Sequence, residues 1–335
     1  MAITHVTTHH LYYDGTDAAR LTLRKDELKV DDHKEDLLDQ LKSSFLSRLN
    51  RKHGSFDREG ENPFLPRALK EMLDEELNFS ELSRQFMQQM EKTVNLEKFK
   101  INAHFLFFVD QLNKQDYFYI FVANQSESLA ISEDLEVTPT HFIDTGISLF
   151  GIKVDLAEWI RRPTSAYLTI IPPRGKPELS EAFHTATGFS NVIDTEETTL
   201  AFLEGVEAFA KQVPKEKQND YRKKVVEYCT EQEKKDQPIS INQLSTTLEG
   251  VDCEKFVREM LPHNPKGEEE VLLDRRSLKQ YTRFSGKERD LSISFSASQL
   301  DSRVLYVQQS DTITIKGLPK SLRQQILRYL SPEKA

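Results

Sequence analysis

The sequence predicts an α+β protein, with an N-terminal antiparallel sheet covered by helices, then a helical segment, and a small C-terminal unit of three strands and a helix. Two observations support this fold class. The 335 residues, 38% of them hydrophobic, are enough for about two domains at roughly 150 residues each. The spacing of apolar residues also alternates along the chain between the helical period of about 3.6 and the strand period of about two.

The first elements are one strand and two helical blocks. The alternating stretch Thr8–Asp14 predicts a strand. Leucine and phenylalanine recur at intervals of three and four in Lys34–Leu49, which predicts an amphipathic helix. The polar stretch Arg51–Asn62 is interpreted as an exposed loop, and the apolar pattern after Pro66 predicts either one kinked helix or two shorter ones. These two helical blocks are expected to cover one face of the sheet.

The sheet itself is predicted from closely spaced strands. Ala103–Val109 and Tyr117–Val122 predict a hairpin rich in aromatic residues. Leu129–Ile131, Ile147–Asp155 and Tyr167–Ile171 predict further strands. No helix is predicted between them, and parallel pairing would need a crossover of a dozen or more residues, so the strands should form an antiparallel meander. The first domain is expected to span residues 1–177.

The second domain is expected to span residues 178–335. Its predicted helices are Leu179–Thr187, Thr195–Val213, a helix beginning at Pro214, Ile241–Leu248 and Cys253–Leu261. Its predicted strands are Leu291–Phe295, Arg303–Val307 and Thr312–Lys316, and the amphipathic stretch Leu318–Leu330 predicts a terminal helix.

The sequence contains none of the common enzyme motifs that we searched for. The 12 glycines form neither GxxxxGK[ST] nor GxGxxG, and no GxSxG, HExxH or calcium loop is present. We therefore expect no catalytic activity and no cofactor. His141 and Asp144 could serve a metal-dependent nuclease, but their spacing is not diagnostic of a metal site. A turn at a strand edge, fixed by Pro139, is the favoured interpretation, with no bound metal.

Charge is distributed unevenly. The chain carries 45 basic and 54 acidic residues, net −9, which speaks against a protein that coats nucleic acid over its whole surface. The segment 271–335 nevertheless contains 12 Lys or Arg against 6 Asp or Glu, so it carries +6, and the segment 1–270 carries −15. A basic C-terminal segment on an acidic protein favours contacts with phosphates.

Two basic clusters lie in this segment. On a helix, Arg276, Lys279 and Arg283 would share one face, because they are three and four residues apart. A solvated helix face is the alternative interpretation. The candidate DNA-binding residues are Arg275, Arg276, Lys279, Arg283 and Lys287, supported by Lys316, Lys320 and Arg323. A third cluster, within residues 215–224, is interspersed with acidic residues and is expected to form a salt-bridged surface.

Several separated blocks resemble one family. The matching residues are Asp134–Asp144 (DLEVTPTHFID), Asp155–Trp159 (DLAEW), Asp274, Arg275, Leu278, Gln280, Phe284, Gly286, Thr312–Gly317 (TITIKG), Leu322 and Arg323. In order and spacing these blocks resemble the NdpA/YejK-type bacterial nucleoid-associated proteins over most of the chain. Residues 51–62 and 174–191 do not follow the family pattern. The resemblance implies a DNA-associated protein of the bacterial chromosome without an enzymatic reaction.

Two functions of different classes follow. The first is a nucleoid-associated protein that binds double-stranded DNA mainly through phosphates, with little sequence readout. The alternative is an acidic adaptor that binds DNA-handling enzymes such as topoisomerases and reaches the nucleoid indirectly. A homodimer is expected, since two copies would double the basic segment. No apolar run approaches the roughly 18 residues of a membrane span, and the expected location is the cytoplasm, at the nucleoid.

Overall fold

The computed structural model describes residues 2–57, 63–112, 114–143, 149–161, 166–235, 237–264, 270–300 and 302–330. The chain divides into two compact units, one up to Asp194 and the other from Thr195. The boundary expected from the sequence lies after residue 177. The difference arises because a helix and a strand between these two positions belong to the first unit, where the strand joins the sheet.

The first unit consists of five helices and nine strands in its described residues. The strands are β1 (Ala2–Tyr13), β2 (Arg20–Thr22), β3 (Lys52–Phe56), β4 (Ile101–Leu112), β5 (Gln115–Ile131), β6 (Val137–Ile143), β7 (Phe150–Asp155), β8 (Leu168–Ile171) and β9 (Phe189–Ile193). The helices are α1 (Asp32–Leu46), α2 (Phe64–Leu73), α3 (Phe79–Glu97), α4 (Leu156–Arg161) and α5 (Pro177–Thr187).

The strands form one antiparallel sheet in the order β2-β1-β4-β5-β7-β8-β3-β9, with β6 paired to the distal half of β5. The predicted hairpin of β4 and β5 is confirmed, with Phe107 opposite Ile120 and Leu106 opposite Phe121. The predicted meander continues through β7 and β8, each antiparallel to its neighbour. The expected fold class, an antiparallel sheet with helices followed by a helical segment and small β elements, is confirmed.

Helices cover both faces of this sheet, not one. Phe45 of α1 contacts Phe121, with ring centroids 5.1 Å apart, whereas Phe86 of α3 contacts Phe107 at 5.6 Å. Phe107 and Phe121 lie on opposite faces, because Phe107 is paired with Ile120, the neighbour of Phe121. Burial on both faces explains why the central strands are continuous apolar runs and do not alternate with polar residues.

Two stretches interpreted as irregular are strands. Part of the expected loop Arg51–Asn62 is β3, which inserts between β8 and β9 and is buried at His53 and along Gly54–Phe56. The expected turn around Pro139 is β6, which pairs with β5 from Gln125 to Ile131. Leu129–Ile131 is therefore the end of β5 and not a separate strand. Both assignments depend on pairing with distant residues, which local composition does not reveal.

The second unit begins with helices and ends with two hairpins and a helix. Its helices are α6 (Thr195–Ala210), α7 (Lys215–Lys234), α8 (Ile241–Thr247), α9 (Cys253–Met260), α10 (Arg275–Thr282) and α11 (Lys320–Leu330). Its strands are β10 (Ile239–Ser240), β11 (Glu270–Val271), β12 (Arg283–Glu288), β13 (Leu291–Ser296), β14 (Val304–Val307) and β15 (Thr312–Ile315). The core of this unit contains Phe202, Val206, Phe209, Val225, Leu244, Phe256 and Leu278.

The C-terminal strands form two separate hairpins, β12 with β13 and β14 with β15. The three predicted strands are present, and β12 is a fourth strand that was not predicted; only its first residue, Arg283, was considered as part of a helical face. Among the described residues of 283–330, only Val304 is buried. Nothing in the described residues forms a helix long and apolar enough to cross a membrane.

Candidate nucleic-acid interface

The helix α10 is attached to the second unit by its cap and by one side. Asp274 caps it by accepting a hydrogen bond at Oδ2 from the backbone N–H of Ser277, at 2.7 Å. The backbone N–H of Asp274 donates to Oγ1 of Thr199, also at 2.7 Å. Leu278 is buried in the core, and the hydroxyl of Tyr281 donates to the carboxylate of Glu207. These contacts fix the rotation of α10 about its axis.

The acceptor of Tyr281 is a charged carboxylate. Arg222 forms a two-pronged ion pair with Glu207, with both N···O distances at 2.8 Å, and this pair lowers the pKa of Glu207. Burial and the hydrogen bond to this carboxylate raise the pKa of Tyr281 far above its usual value. Tyr281 therefore remains a neutral donor, and α10 is held by a charge-assisted hydrogen bond.

The opposite side of α10 presents two cations to solvent. Arg276 and Lys279 are exposed, three residues apart on the helix. Arg275, which the sequence analysis also assigns to the interface, lies on the attached side, with Nε 3.4 Å from the buried carboxylate of Glu233. Arg275 thus contributes to the attachment of α10, whereas Arg276 and Lys279 are available to a ligand.

Arg283 does not continue this helical face. α10 ends at Thr282, and Arg283 is the first residue of β12. The expected face of Arg276, Lys279 and Arg283 is therefore wrong for Arg283. The spacing of three and four residues is compatible with a helix. In the structure, however, residues 283–285 belong to a strand, so Arg283 and Ser285 point to one face of the hairpin and Phe284 points to the other.

The hairpin of β12 and β13 has one polar face and one apolar face. Its polar side consists of three directly opposed pairs, Arg283 with Ser296, Ser285 with Ser294, and Lys287 with Ser292. All six side chains are exposed, and Nε of Arg283 donates to Oγ of Ser294 at 2.7 Å. We call these six residues the cation–serine face. Arginine, lysine and serine are among the side chains that contact phosphates in protein–DNA complexes.

The remaining predicted cations lie near the second hairpin. Lys316 follows β15, and Lys320 and Arg323 lie in the first part of α11, all three exposed. Nε of Arg303 donates to the carbonyl of Lys316 at 3.0 Å, and another guanidinium nitrogen donates to the carbonyl of Gly317. Arg303 therefore fixes the backbone next to Lys316, while the ammonium group of Lys316 forms no ion pair within the described chain.

Six of the eight predicted residues are exposed cations whose charged side-chain groups have no ion-pair or hydrogen-bond partner in the described part of the chain. They are Arg276, Lys279, Lys287, Lys316, Lys320 and Arg323, and we call them the cation set. By contrast, three of the five cations in the cluster at residues 215–224 form the expected ion pairs. Arg222 pairs with Glu207, Lys223 with Glu227, and Lys224 with both Asp220 and Glu249.

The serines of the cation–serine face were missed by the sequence analysis. The signal was present, because Leu291–Ser296 reads LSISFS, with a serine at every second position. Strict alternation places all three serines on one side of a strand. This alternation predicts the strand, but it does not show that the serines lie beside Arg283 and Lys287, because that depends on the pairing of β12 with β13.

The other candidate, a metal site at His141 and Asp144, is only partly described. Nδ1 of His141 lies 4.0 Å from Oε1 of Glu127, across the hairpin of β5 and β6. Asp144 lies outside the described residues. Among those that are described, no three His, Cys, Asp or Glu side chains are grouped so as to hold a metal ion.

Comparison with known proteins identifies relatives along the whole chain. The family model described as nucleoid-associated protein YejK matches residues 8–323. A nucleoid-associated protein of Pseudomonas entomophila (strain L48) is 30% identical over 334 residues, covering 98% of this chain and 99% of that protein. Nucleoid-associated proteins of Pseudomonas putida (strain GB-1) and Pseudomonas aeruginosa (strain UCBPP-PA14) are each 29% identical, over 98% of this chain and 99% and 98% of those proteins. The chain therefore belongs to the YejK family of nucleoid-associated proteins.

Proposed function

We propose that this protein binds double-stranded DNA directly, through phosphate contacts made by the cation set and the cation–serine face. The observation that carries the proposal is that the charged groups of the cation set are exposed and unpaired in the described part of the chain, whereas Arg222, Lys223 and Lys224 on α7 are paired with carboxylates. An unpaired cation can release the counterions of a phosphate, which is the main source of affinity without sequence readout.

The hydroxyls support the same proposal. Ser285 lies between Arg283 and Lys287 on β12, and Ser296 and Ser292 lie opposite these two cations on β13. Serine hydroxyls and arginine and lysine side chains are among the groups that contact the sugar-phosphate backbone in protein–DNA complexes. Such contacts fix a protein on the duplex without reading bases, so little sequence preference is expected.

In this proposal the protein acts as a homodimer. It is located in the cytoplasm, at the nucleoid, and catalyses no reaction. The acidic remainder of the chain, the segment 1–270 with its net charge of −15, repels DNA, and a second copy doubles the number of cations that a single duplex meets. The role of each residue in the cation set is electrostatic anchoring, and no cofactor or metal is proposed.

Fluorescence anisotropy with a labelled duplex and the full chain tests the proposal. The variant Arg276→Gln/Lys279→Gln/Lys287→Gln should lose affinity at least tenfold at low salt. A matched control, Lys223→Gln/Lys224→Gln/Lys235→Gln, removes the same charge from α7 and its C-terminal cap, where all three lysines are paired with carboxylates. Equal losses in both variants would show that net charge alone determines binding and would contradict the proposed interface.

The alternative function is the acidic adaptor, which the net charge of −15 on the segment 1–270 favours. An adaptor binds a topoisomerase or another DNA-handling enzyme and does not bind DNA itself. Absence of duplex binding by the purified chain at low salt would refute direct binding and support the adaptor. If the triple Gln variant then captures such an enzyme as efficiently as the wild type does, the enzyme binds to a surface other than the three substituted cations.

A further inference from the structure

The segment after α10 leaves an unusual amount of apolar surface uncovered. Among the described residues of 283–330, only Val304 is buried, although the segment contains four strands and a helix. Isolated two-stranded hairpins are at best marginally stable in water. Contiguous exposed apolar surface on a folded protein marks a place where another molecule binds.

One part of this surface is a groove between the two hairpins. The apolar side of the first hairpin contributes Phe284, Ile293 and Phe295, and the second contributes Tyr306 and Ile313. The groove has a volume of about 540 Å³. Its apolar side chains lie on the opposite side of the first hairpin from the cation–serine face, because the side chains of a strand alternate between its faces. Ser285 and Lys287 of the cation–serine face also contribute to its lining.

The second part of this surface is α11. Its apolar residues Leu322, Ile326, Tyr329 and Leu330 are spaced by four, three and one, and form one stripe along the helix. None of the eleven residues of α11, all of them described, is buried, and Tyr329 and Leu330 are 86% and 70% exposed. A helix with an apolar stripe normally gains its stability by packing that stripe against another surface.

An apolar groove and an amphipathic helix are the two halves of a common recognition mode, in which the helix lies in the groove. Here both halves belong to one chain and both are uncovered. α11 follows β15 after only the short link 316–319, in which Gly317 has a φ of 64°, and in this arrangement its stripe remains exposed. The occupant that supplies a helix of this pattern without any further assumption is a second copy of the chain.

We infer that two copies associate by placing the stripe of α11 of each chain in the groove of the other. The exchange is reciprocal, so the interface is self-complementary and closes after two chains. Each dimer therefore contains two helix-in-groove contacts and buries twice the apolar area of a single contact. This inference deepens the homodimer in the proposed function by naming its interface, and it does not depend on DNA binding.

Charges beside the two halves complement each other. Glu288 lies on the groove side of the first hairpin and lines the groove, and Arg323 lies beside the stripe of α11. Neither side chain forms an ion pair within the described ranges. In the exchanged dimer Arg323 of one chain and Glu288 of the other form an ion pair at the edge of the groove. The pair sets the direction in which the helix enters.

Sedimentation velocity of the full chain over a concentration series tests this interface. Ile326→Asp places a charge in the stripe and should raise the dimer dissociation constant by about 30-fold or more, as expected for a central apolar contact. Because Ile326 lies on a helix without buried residues, the variant should fold normally. Gln324→Asp adds the same charge on the polar side of α11 and should leave the dimer intact.

A charge exchange provides a second, independent readout. Glu288→Arg and Arg323→Glu should each weaken the dimer, and the double variant should recover much of the lost affinity. A monomeric wild type at all concentrations would overturn both the interface and the proposed dimer, while duplex binding would still test the DNA interface. A dimer that tolerates Ile326→Asp, or single charge variants that the double variant does not rescue, would place the interface elsewhere and overturn the inference.

Discussion

At the scale of the residue, the clearest polar site in the first unit is His9. Its Nδ1 accepts a hydrogen bond from the backbone N–H of Arg24 at 3.1 Å, so the proton of the neutral ring resides on Nε2, which lies 3.0 Å from Oγ of Ser83. The hydroxyl of Ser83 in turn donates to the carbonyl of Ser80 at 2.9 Å. A second ring proton would have no acceptor, so protonation disrupts this chain of hydrogen bonds.

This geometry predicts loss of stability in mild acid. Burial, with a smaller contribution from Arg84, lowers the pKa of His9 from 6.5 to about 4. The unfolded chain therefore binds more protons between these values, and the free energy of unfolding should fall as the pH falls from about 6.5 to 4. The contribution of His9 is roughly 3 kcal/mol. Urea unfolding followed by the fluorescence of Trp159, the single tryptophan, measures it.

The variant His9→Gln should be less stable at pH 7 and should lose part of the pH dependence. His10→Gln is the matched control, because His10 is the next residue, on the other face of β1, and is only half-buried. An unchanged pH dependence in His9→Gln would refute the assignment of the acid sensitivity to this ring.

A buried ion pair provides a second prediction at this scale. Nζ of Lys42 on α1 lies 2.8 Å from Oδ2 of Asp110 on β4 and 2.8 Å from Oδ1 of Asp39. Burial opposes the charge on Lys42, but the hydrogen bonds to both carboxylates outweigh it and raise the pKa of Lys42. Because Asp110 is only 2% exposed, Lys42→Met leaves a buried charge without its cation and should destabilise the first unit by about 3–5 kcal/mol.

The double variant Lys42→Met/Asp110→Leu removes both charges and should be more stable than Lys42→Met alone, since replacement of a buried pair by apolar residues is often tolerated. Denaturant unfolding monitored at Trp159 compares the two. A double variant that is less stable than Lys42→Met would contradict this prediction. It would show that the ion pair contributes more to the stability of the fold than the neutralisation of one buried charge by the other.

At the scale of the element, the sequence predicts those segments whose local pattern agrees with their environment. The helices α1 and α3 and the strands β4 and β5 were predicted because a regular apolar spacing reports burial directly. β3 was missed because its sequence, KHGSF, is polar and contains glycine, and only its insertion between β8 and β9 makes it a strand. β12 was missed because Arg283 and Lys287 continue the spacing of three and four residues that begins in α10, although the helix itself ends at Thr282.

The insertion of β3 makes Gly54 sensitive to substitution. A Cβ at this position would lie 2.5 Å from the backbone carbonyl oxygen of Ser190 and 3.1 Å from the ring of Phe189. Since backbone atoms cannot move aside easily, Gly54→Ala should destabilise the first unit by about 1–3 kcal/mol. Urea unfolding at Trp159 measures the change, because the indole lies 5.1 Å from the ring of Phe56 at the end of β3.

The control is Lys52→Ala in the same strand, where the side chain is exposed. A change within about 0.5 kcal/mol is expected there, as for most surface substitutions. Equal stability of Gly54→Ala and the wild type would contradict the close approach of β3 and β9.

At the scale of the whole molecule, the sequence predicted which segment is basic but not which cations are available. The count of +6 after residue 270 includes Arg275, which is engaged with Glu233, and Arg303, which bonds to carbonyls of its own hairpin. Availability depends on the neighbours that folding supplies, and only coordinates identify them. The cation set is therefore smaller than the basic cluster seen in the sequence, and its members lie on three different elements and one link.

Combination of the two proposals gives a prediction about salt. If each of the six residues of the cation set neutralises one phosphate, the logarithm of the binding constant should fall with the logarithm of salt concentration with a slope of about −5 per chain. A dimer that places both sets on one duplex, with Arg323 of each chain paired to Glu288 of the other and ten cations left for phosphates, should show a slope of about −9. Ile326→Asp, which separates the chains, should halve the slope, whereas Gln324→Asp, with the same charge change, should not.

Anisotropy titrations with a duplex long enough for both chains, repeated between low and physiological salt, measure these slopes. The comparison separates dimer formation from charge, because both variants add one negative charge to α11 and only one of them interrupts the stripe. Equal slopes for Ile326→Asp and Gln324→Asp would mean that one chain contacts the duplex at a time. The net charge of −15 on the segment 1–270 would then be offset by the cations of a single C-terminal segment, and the dimer would serve a purpose other than affinity.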